Sequence, residues 1–141
     1  MANRLAKSFN CPAEFALQVL GGKWKTVILC YLKLGPLRYA ELRKLIPNLS
    51  DKVLSQRLRE LTEAGLIERS KPARDKPEVY VLAARAESLG RVLTDLYIWG
   101  DTNAAKFGVT VGHPLKSIGK RPGSRASTCR PSLFRRNVIS Q

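Results

Sequence analysis

Residues 50–70 read SDKVLSQRLRELTEAGLIERS. Leu54, Leu58 and Leu61 recur at helical spacing with Val53 beside them, so one face of a helix packs inward. Ser50 stands where an N-cap oxygen would take up a free backbone N–H of the first turn, and Gly65 ends the helix. Rotated away from the leucines, Lys52, Ser55, Gln56 and Arg59 step i, i+3, i+4, i+7 and share one outward stripe. Charged stripes of this kind are ordinarily solvated surface. What flanks the helix decides whether this one also meets a partner.

Upstream, three shorter helices are predicted. Pro12 to about Leu20 has proline at its first position, and Trp24, Val27, Ile28, Tyr31 and Leu32 give a second helix its core stripe. Gly35-Pro36 stops that helix. Arg38 to Ile46 forms a third, with Tyr39, Leu42 and Ile46 inward, and Pro47-Asn48 breaks it just before Ser50. Downstream, LIERS and EVYVL are short strand-like runs separated by KPARDKP, whose two prolines and alternating charges suit an exposed hairpin loop. A final helix is predicted from about Ala84 to Phe107. Its Leu89, Val92, Leu93, Leu96, Tyr97, Ile98 and Trp99 offer more apolar surface than one domain contact needs, which implies a partner helix.

Helix, tight turn, helix, two strands with a basic loop, helix: this is the order of a winged helix-turn-helix. The expected fold is mainly α (α+β), with a two-stranded β-wing and helical dimerisation elements at both ends. In such a fold the second helix of the pair enters the major groove, and its exposed N-terminal residues meet base edges. Ser50, Lys52, Ser55, Gln56 and Arg59 are therefore the candidate DNA-binding residues of this helix, the last four forming the stripe suited to base edges. Glutamine bonds adenine and arginine bonds guanine in bidentate fashion, while serine takes either role. Arg38 is a candidate phosphate contact and equally a partner for Glu41 one turn on. Lys71, Arg74 and Lys76, in the wing loop, are candidates for phosphates or the minor groove.

The charge balance points the same way. The 141 residues carry 25 Lys and Arg against 11 Asp and Glu, a formal charge of +14, which repels itself unless a polyanion shares the surface. Nucleic acid is the leading partner class, with an anionic membrane surface or mere solubility as the alternatives that charge alone leaves open. Taken with the helix-turn-helix order, double-stranded DNA is the expected partner. The last acid is Asp101, and residues 108–141 hold seven basic side chains and no acid among scattered Gly, Pro and Ser. Three segments are expected: an arm at 1–11, a folded domain at 12–107, and a basic, disordered tail at 108–141. The longest unbroken apolar run, Val27 to Leu32, is far short of the ~20 residues that span a bilayer. No signal-peptide core follows Arg4 and Lys7, so a cytoplasmic protein without a membrane partner is expected.

Catalysis finds little support. The only histidine is His113, in the tail, so no Ser-His or Cys-His pair can form in the folded part. Gly22-Lys23 resembles the end of a phosphate-binding loop, but Leu17 stands where the first glycine would fall and Trp24 replaces the Ser or Thr. Cys11, Cys30 and Cys129 contain no CxxC pair, which argues against a zinc site or a disulfide framework; no metal and no cofactor is expected. Cys30 reads as core and Cys129 as incidental. Cys11 precedes Pro12 at a helix N-terminus, where free N–H groups and the dipole favour a thiolate, with Arg4 and Lys7 adding to this and Glu14 opposing it. The bland alternative for Cys11 is a small packed residue at a dimer interface.

Cys11-Pro12, Gly21-Gly22-Lys23-Trp24-Lys25, GPLRYAEL, VLSQRLREL with GLIER, and Trp99-Gly100 occur together in one order. In that combination, covering about Cys11 to Gly100, the chain resembles the HxlR-type transcriptional regulators, a branch of the winged helix-turn-helix proteins related to the MarR group. The resemblance implies a cytoplasmic homodimer on a near-palindromic operator. It also implies that the cysteine before the proline, Cys11 here, senses a small oxidant or electrophile. Two features depart from the family pattern. Ala83 and Ala86 stand where a capping Thr and a Gly are usual, and the tail after Phe107 has no counterpart. The competing expectation is a basic nucleic-acid binder without sequence preference, architectural on DNA or associated with RNA, whose affinity comes from the tail. Salt dependence and discrimination against mismatched sites separate the two.

Overall fold

The computed structural model describes residues 7–112. Arg4, His113 and Cys129 lie outside them, as do residues 113–141 of the tail. In chain order the elements are α1 (Pro12–Leu20), α2 (Lys25–Leu32), α3 (Tyr39–Leu45), α4 (Asp51–Glu63), β1 (Ile67–Ser70), β2 (Val79–Leu82) and α5 (Leu89–Asn103). Short 3-10 turns, Ala84–Ala86 and Ala104–Phe107, flank α5. Five helices and a two-stranded antiparallel sheet form the winged helix-turn-helix expected from the element order.

The two ends of α4 are fixed by local chemistry. Ser50 Oγ accepts from the Val53 N–H at 3.3 Å, the capping bond its position predicts. At the other end Gly65 adopts φ +69°, so that Leu66 N–H reaches the Leu61 carbonyl and Gly65 N–H the Thr62 carbonyl. This crossed pair is a Schellman motif, and the left-handed residue it needs is most easily glycine. A Cβ there would also sit 3.1 Å from Arg85 Nη1. The motif turns the chain sharply, so Leu66 and Ile67 are buried at once and start the hairpin. Between the ends, Leu54, Leu58 and Leu61 are fully buried against Ile28, Leu29, Tyr31, Leu42 and Leu93. Burying each such side chain contributes roughly 2 kcal/mol.

The hairpin pairs Ile67 with Leu82 through Ser70 with Val79. Its outer edge is not left open: Leu37 N–H donates to the Tyr80 carbonyl at 3.1 Å, and Tyr80 N–H donates back to the Leu37 carbonyl at 2.8 Å. This single bridge ties the wing to the segment that leads into α3. Nothing in the sequence announces it.

Three expectations are corrected. The final helix does not run unbroken from Ala84 to Phe107. Ala83 offers no side-chain oxygen to the first N–H groups, and tight i to i−3 bonds from Ala86 and Glu87 satisfy the backbone before α5 begins. At the far end Gly108, φ +68°, closes a second Schellman pair with Val109. The third helix is one residue shorter at each end than predicted, with Arg38 and Ile46 as its caps. In α2 the buried apolar set is Ile28, Leu29, Tyr31 and Leu32, while Val27 is half-buried and Trp24 is an N-cap in the left-handed region at φ +84°. An almost wholly apolar run such as VILCYL carries no periodicity from which its inner face can be told.

Candidate nucleic-acid interface

On α4, Lys52, Ser55, Gln56 and Arg59 are all exposed, opposite the buried leucines. Lys52 and Arg59 form no ion pair among the described residues, so their charges are uncommitted within them. Gln56 Nε2 donates to Glu60 Oε1 at 3.1 Å, which uses one of its two amide protons and leaves the other, with the carbonyl oxygen, available. Ser50 serves as a cap through its oxygen.

The turn between α3 and α4 is held by side chains from both helices. Arg43 Nε lies 2.7 Å from Asp51 Oδ1, and the same guanidinium donates to the Leu49 carbonyl. Tyr39, expected to face inward, is half-buried, and its hydroxyl reaches Asp51 Oδ1 at 3.0 Å and Ser55 Oγ at 3.3 Å. The first turns of α4 are thus braced from α3.

A second brace lies beneath the helix, and sequence reasoning missed it. Glu60 accepts from Arg57 Nη1 at 2.6 Å and from Lys25 Nζ at 3.2 Å. Lys25 is only 7% exposed. Burial pushes the Glu60 carboxyl up, but hydrogen bonds from Arg57 and Lys25, together with their charges, outweigh this and hold it below the usual carboxylate range. The start of α2 is therefore locked to the C-terminal part of α4. The sequence signal was the i, i+3 pair Arg57–Glu60, which leaves Lys25 unsuspected.

Arg38 does pair with Glu41: the carboxylate accepts from the Arg38 backbone N–H at 2.7 Å and lies 3.6 Å from its Nε. The guanidinium is half exposed, so the pair is weak and its charge still faces outward. In the wing, Arg69 and Glu78 pair at 3.5 Å at the loop end of the hairpin. Lys71, Arg74 and Lys76 lie beyond that pair in the loop, all exposed and outside any ion pair among the described residues.

Cys11 is the N-cap of α1, exposed, with no side-chain capping bond. Glu14 Oε2 accepts from the Asn10 N–H at 3.1 Å, which puts a carboxylate at the same helix start. Cys30, expected in the core, is half-buried and lines an apolar cleft of about 180 Å³ between α2 and α5, with Val27, Tyr31, Leu93 and Tyr97. Burial pushes its thiol up, with Lys33 opposing. Along α5, Val92, Leu96 and Trp99 share a face and are exposed, Trp99 by 60%, and its ring meets that of Phe107 at 6.1 Å. Among the described residues no group of His, Cys, Asp or Glu could hold a metal, and no helix is long and apolar enough to cross a membrane.

A braced, outward-facing second helix and a basic two-stranded wing define a DNA-binding winged helix-turn-helix protein of the transcription-regulator class. Residues 19–107 match the model of the HxlR-like helix-turn-helix family, and the chain belongs to that family, whose members regulate transcription rather than catalyse reactions. It is 44% identical over 95 residues to the uncharacterized HTH-type transcriptional regulator YtcD of Bacillus subtilis, spanning 67% of this chain and 75% of the relative. Among solved structures, the redox regulator HypR in its oxidized form superposes with a TM-score of 0.60 at 31% identity, over 66% of this chain and 97% of that one. Quinone-bound YodB from B. subtilis gives 0.55 at 32% identity, over 65% and 99%.

Proposed function

We propose that this regulator is a cytoplasmic homodimer that recognises a near-palindromic operator in double-stranded DNA. The unit 12–107 does the reading, with Lys52, Ser55, Gln56 and Arg59 in the major groove, Ser50 and Arg38 at phosphates, and Lys71, Arg74 and Lys76 on the flanking backbone or minor groove. The observation that carries this is the division of α4: leucines fully buried on one side, and four polar side chains exposed on the other, two of them cations without a partner among the described residues. A merely solvated face would have no need of braces from both α2 and α3. The dimer is supported by the exposed Val92, Leu96 and Trp99 on α5 and by Phe15 and Leu17 on α1, which exceed what a lone domain leaves in water. A two-fold contact there would give two α4 helices for two inverted half-sites.

Occupancy responds to a small oxidant or electrophile through Cys11. Its exposure at the start of α1 supports this, as do relatives described as a redox regulator and as quinone-bound. The arm 1–11 and the tail 108–141 flank the reading unit, and the tail adds sequence-independent affinity.

The test is a mobility-shift titration with Gln56→Ala and Arg59→Ala. Each should weaken operator binding by ~1–3 kcal/mol while the protein stays folded. Unchanged affinity for both variants would remove α4 from the groove.

A further inference from the structure

The hydroxyl of Tyr39 is shared among three oxygens of α4. It lies 3.0 Å from Asp51 Oδ1, 3.3 Å from the Asp51 carbonyl oxygen and 3.3 Å from Ser55 Oγ. A phenol has one proton, whereas a carboxylate at neutral pH and a carbonyl oxygen can only accept. Both contacts to Asp51 therefore need the Tyr39 proton, and the charged oxygen takes the larger share of it. Toward Ser55 the Tyr39 oxygen has only lone pairs to offer, so that contact exists only if Ser55 donates. The one proton of Ser55 is then committed inside the protein, and its exposed oxygen faces outward as an acceptor. Arg43 anchors the far end, because Asp51 cannot turn away without losing the 2.7 Å ion pair.

We propose that this relay, from Ser55 to Tyr39 to Asp51, makes Ser55 an acceptor-only reader and Tyr39 a specificity-determining positioning residue. At the base that Ser55 faces, the protein prefers adenine or cytosine, whose major-groove edges carry an amino group. It disfavours guanine and thymine, which offer only acceptors there and, in thymine, a methyl. The proposal rests on the placement of α4 in the major groove. Tyr39→Phe is the direct probe, since it removes the shared oxygen and keeps the ring that packs against the core. The Ser55 hydroxyl is then free to rotate, to donate as well as accept, and the preference collapses.

The experiment measures binding of the full chain to duplexes in which each half-site position is varied in turn, for the parent, Tyr39→Phe, Ser55→Ala and Arg59→Ala, with thermal melting of each protein alongside. The parent should show one position where A and C are favoured over G and T on the order of fivefold, the worth of one hydrogen bond. That preference should vanish in Tyr39→Phe and in Ser55→Ala, with each variant still melting cooperatively as a folded protein and the preferences at other positions unchanged. If Tyr39→Phe keeps the amino preference, or flattens every position alike, the relay is wrong. If Ser55→Ala alters no position while Arg59→Ala does, the relay fails and the groove placement stands. If no variant alters any position, the placement fails and takes the relay with it.

Discussion

Glu60→Ala removes the acceptor on which three side chains converge: Arg57 Nη1 at 2.6 Å, Gln56 Nε2 at 3.1 Å and Lys25 Nζ at 3.2 Å. Lys25 would be left as a buried cation, and Arg57, whose Nε already lacks a partner, would lose its counter-charge. Deleting one partner of a buried ion pair typically costs ~3–5 kcal/mol. Arg57 is 24% exposed and can partly rehydrate, which brings the expected loss to ~2–4 kcal/mol. The pH dependence follows from the lowered carboxyl. A group depressed on folding contributes fully above its unfolded value of ~4.3, and that contribution is lost as pH falls through the lower folded value. The gap between parent and variant should therefore be widest near neutrality and narrow as the pH falls below the ordinary carboxylate range. Urea unfolding followed by circular dichroism, stepped down in pH, reads both. A gap below ~1 kcal/mol at neutral pH, or one that stays constant into acid, would mean that the cluster does not brace α4.

Leu96→Glu, on the exposed face of α5, should leave the fold intact and halve the mass seen by sedimentation; a dimer that persists would place the interface elsewhere. Cys11→Ser should bind the operator as the parent does but stop responding to a thiol-specific oxidant, whereas Cys30→Ser should still respond. Release of the Cys11 variant by the oxidant would return Cys11 to a packing role. Cutting after Phe107 should weaken binding to all duplexes about equally and flatten the plot of log affinity against log salt by up to ~0.9 for each phosphate the tail no longer neutralises. Loss of operator binding alone, with the slope intact, would contradict that role for the tail.

The sequence carried most of the frame because its signals are local. Leucines at helical spacing, Ser50 and Gly65 at the ends of α4, Pro12 at the head of α1 and the prolines of KPARDKP each act within a few residues of themselves. What it did not carry are contacts made between residues far apart in the chain. The Leu37–Tyr80 bridge is backbone to backbone and leaves no mark on side-chain pattern. Lys25 looked like one more basic residue in GGKWK, because only the fold brings it to Glu60. Tyr39 has an apolar ring that fits the core stripe and a polar tip that does not, and the stripe alone hides the tip. The breaks around α5 were half legible: the missing oxygen at Ala83 was visible, the 3-10 turn that replaces the cap was not.

The central claim is that two copies of α4 read an inverted repeat. Selection of bound duplexes from a random pool by the full chain, under reducing conditions and at fixed salt, tests it most directly. The prediction is one enriched motif with two-fold symmetry, its half-sites centred about one helical turn apart, ~34 Å. Recovery of an unenriched pool that still binds tightly and releases steeply with salt would contradict it, and would leave a basic binder without sequence preference.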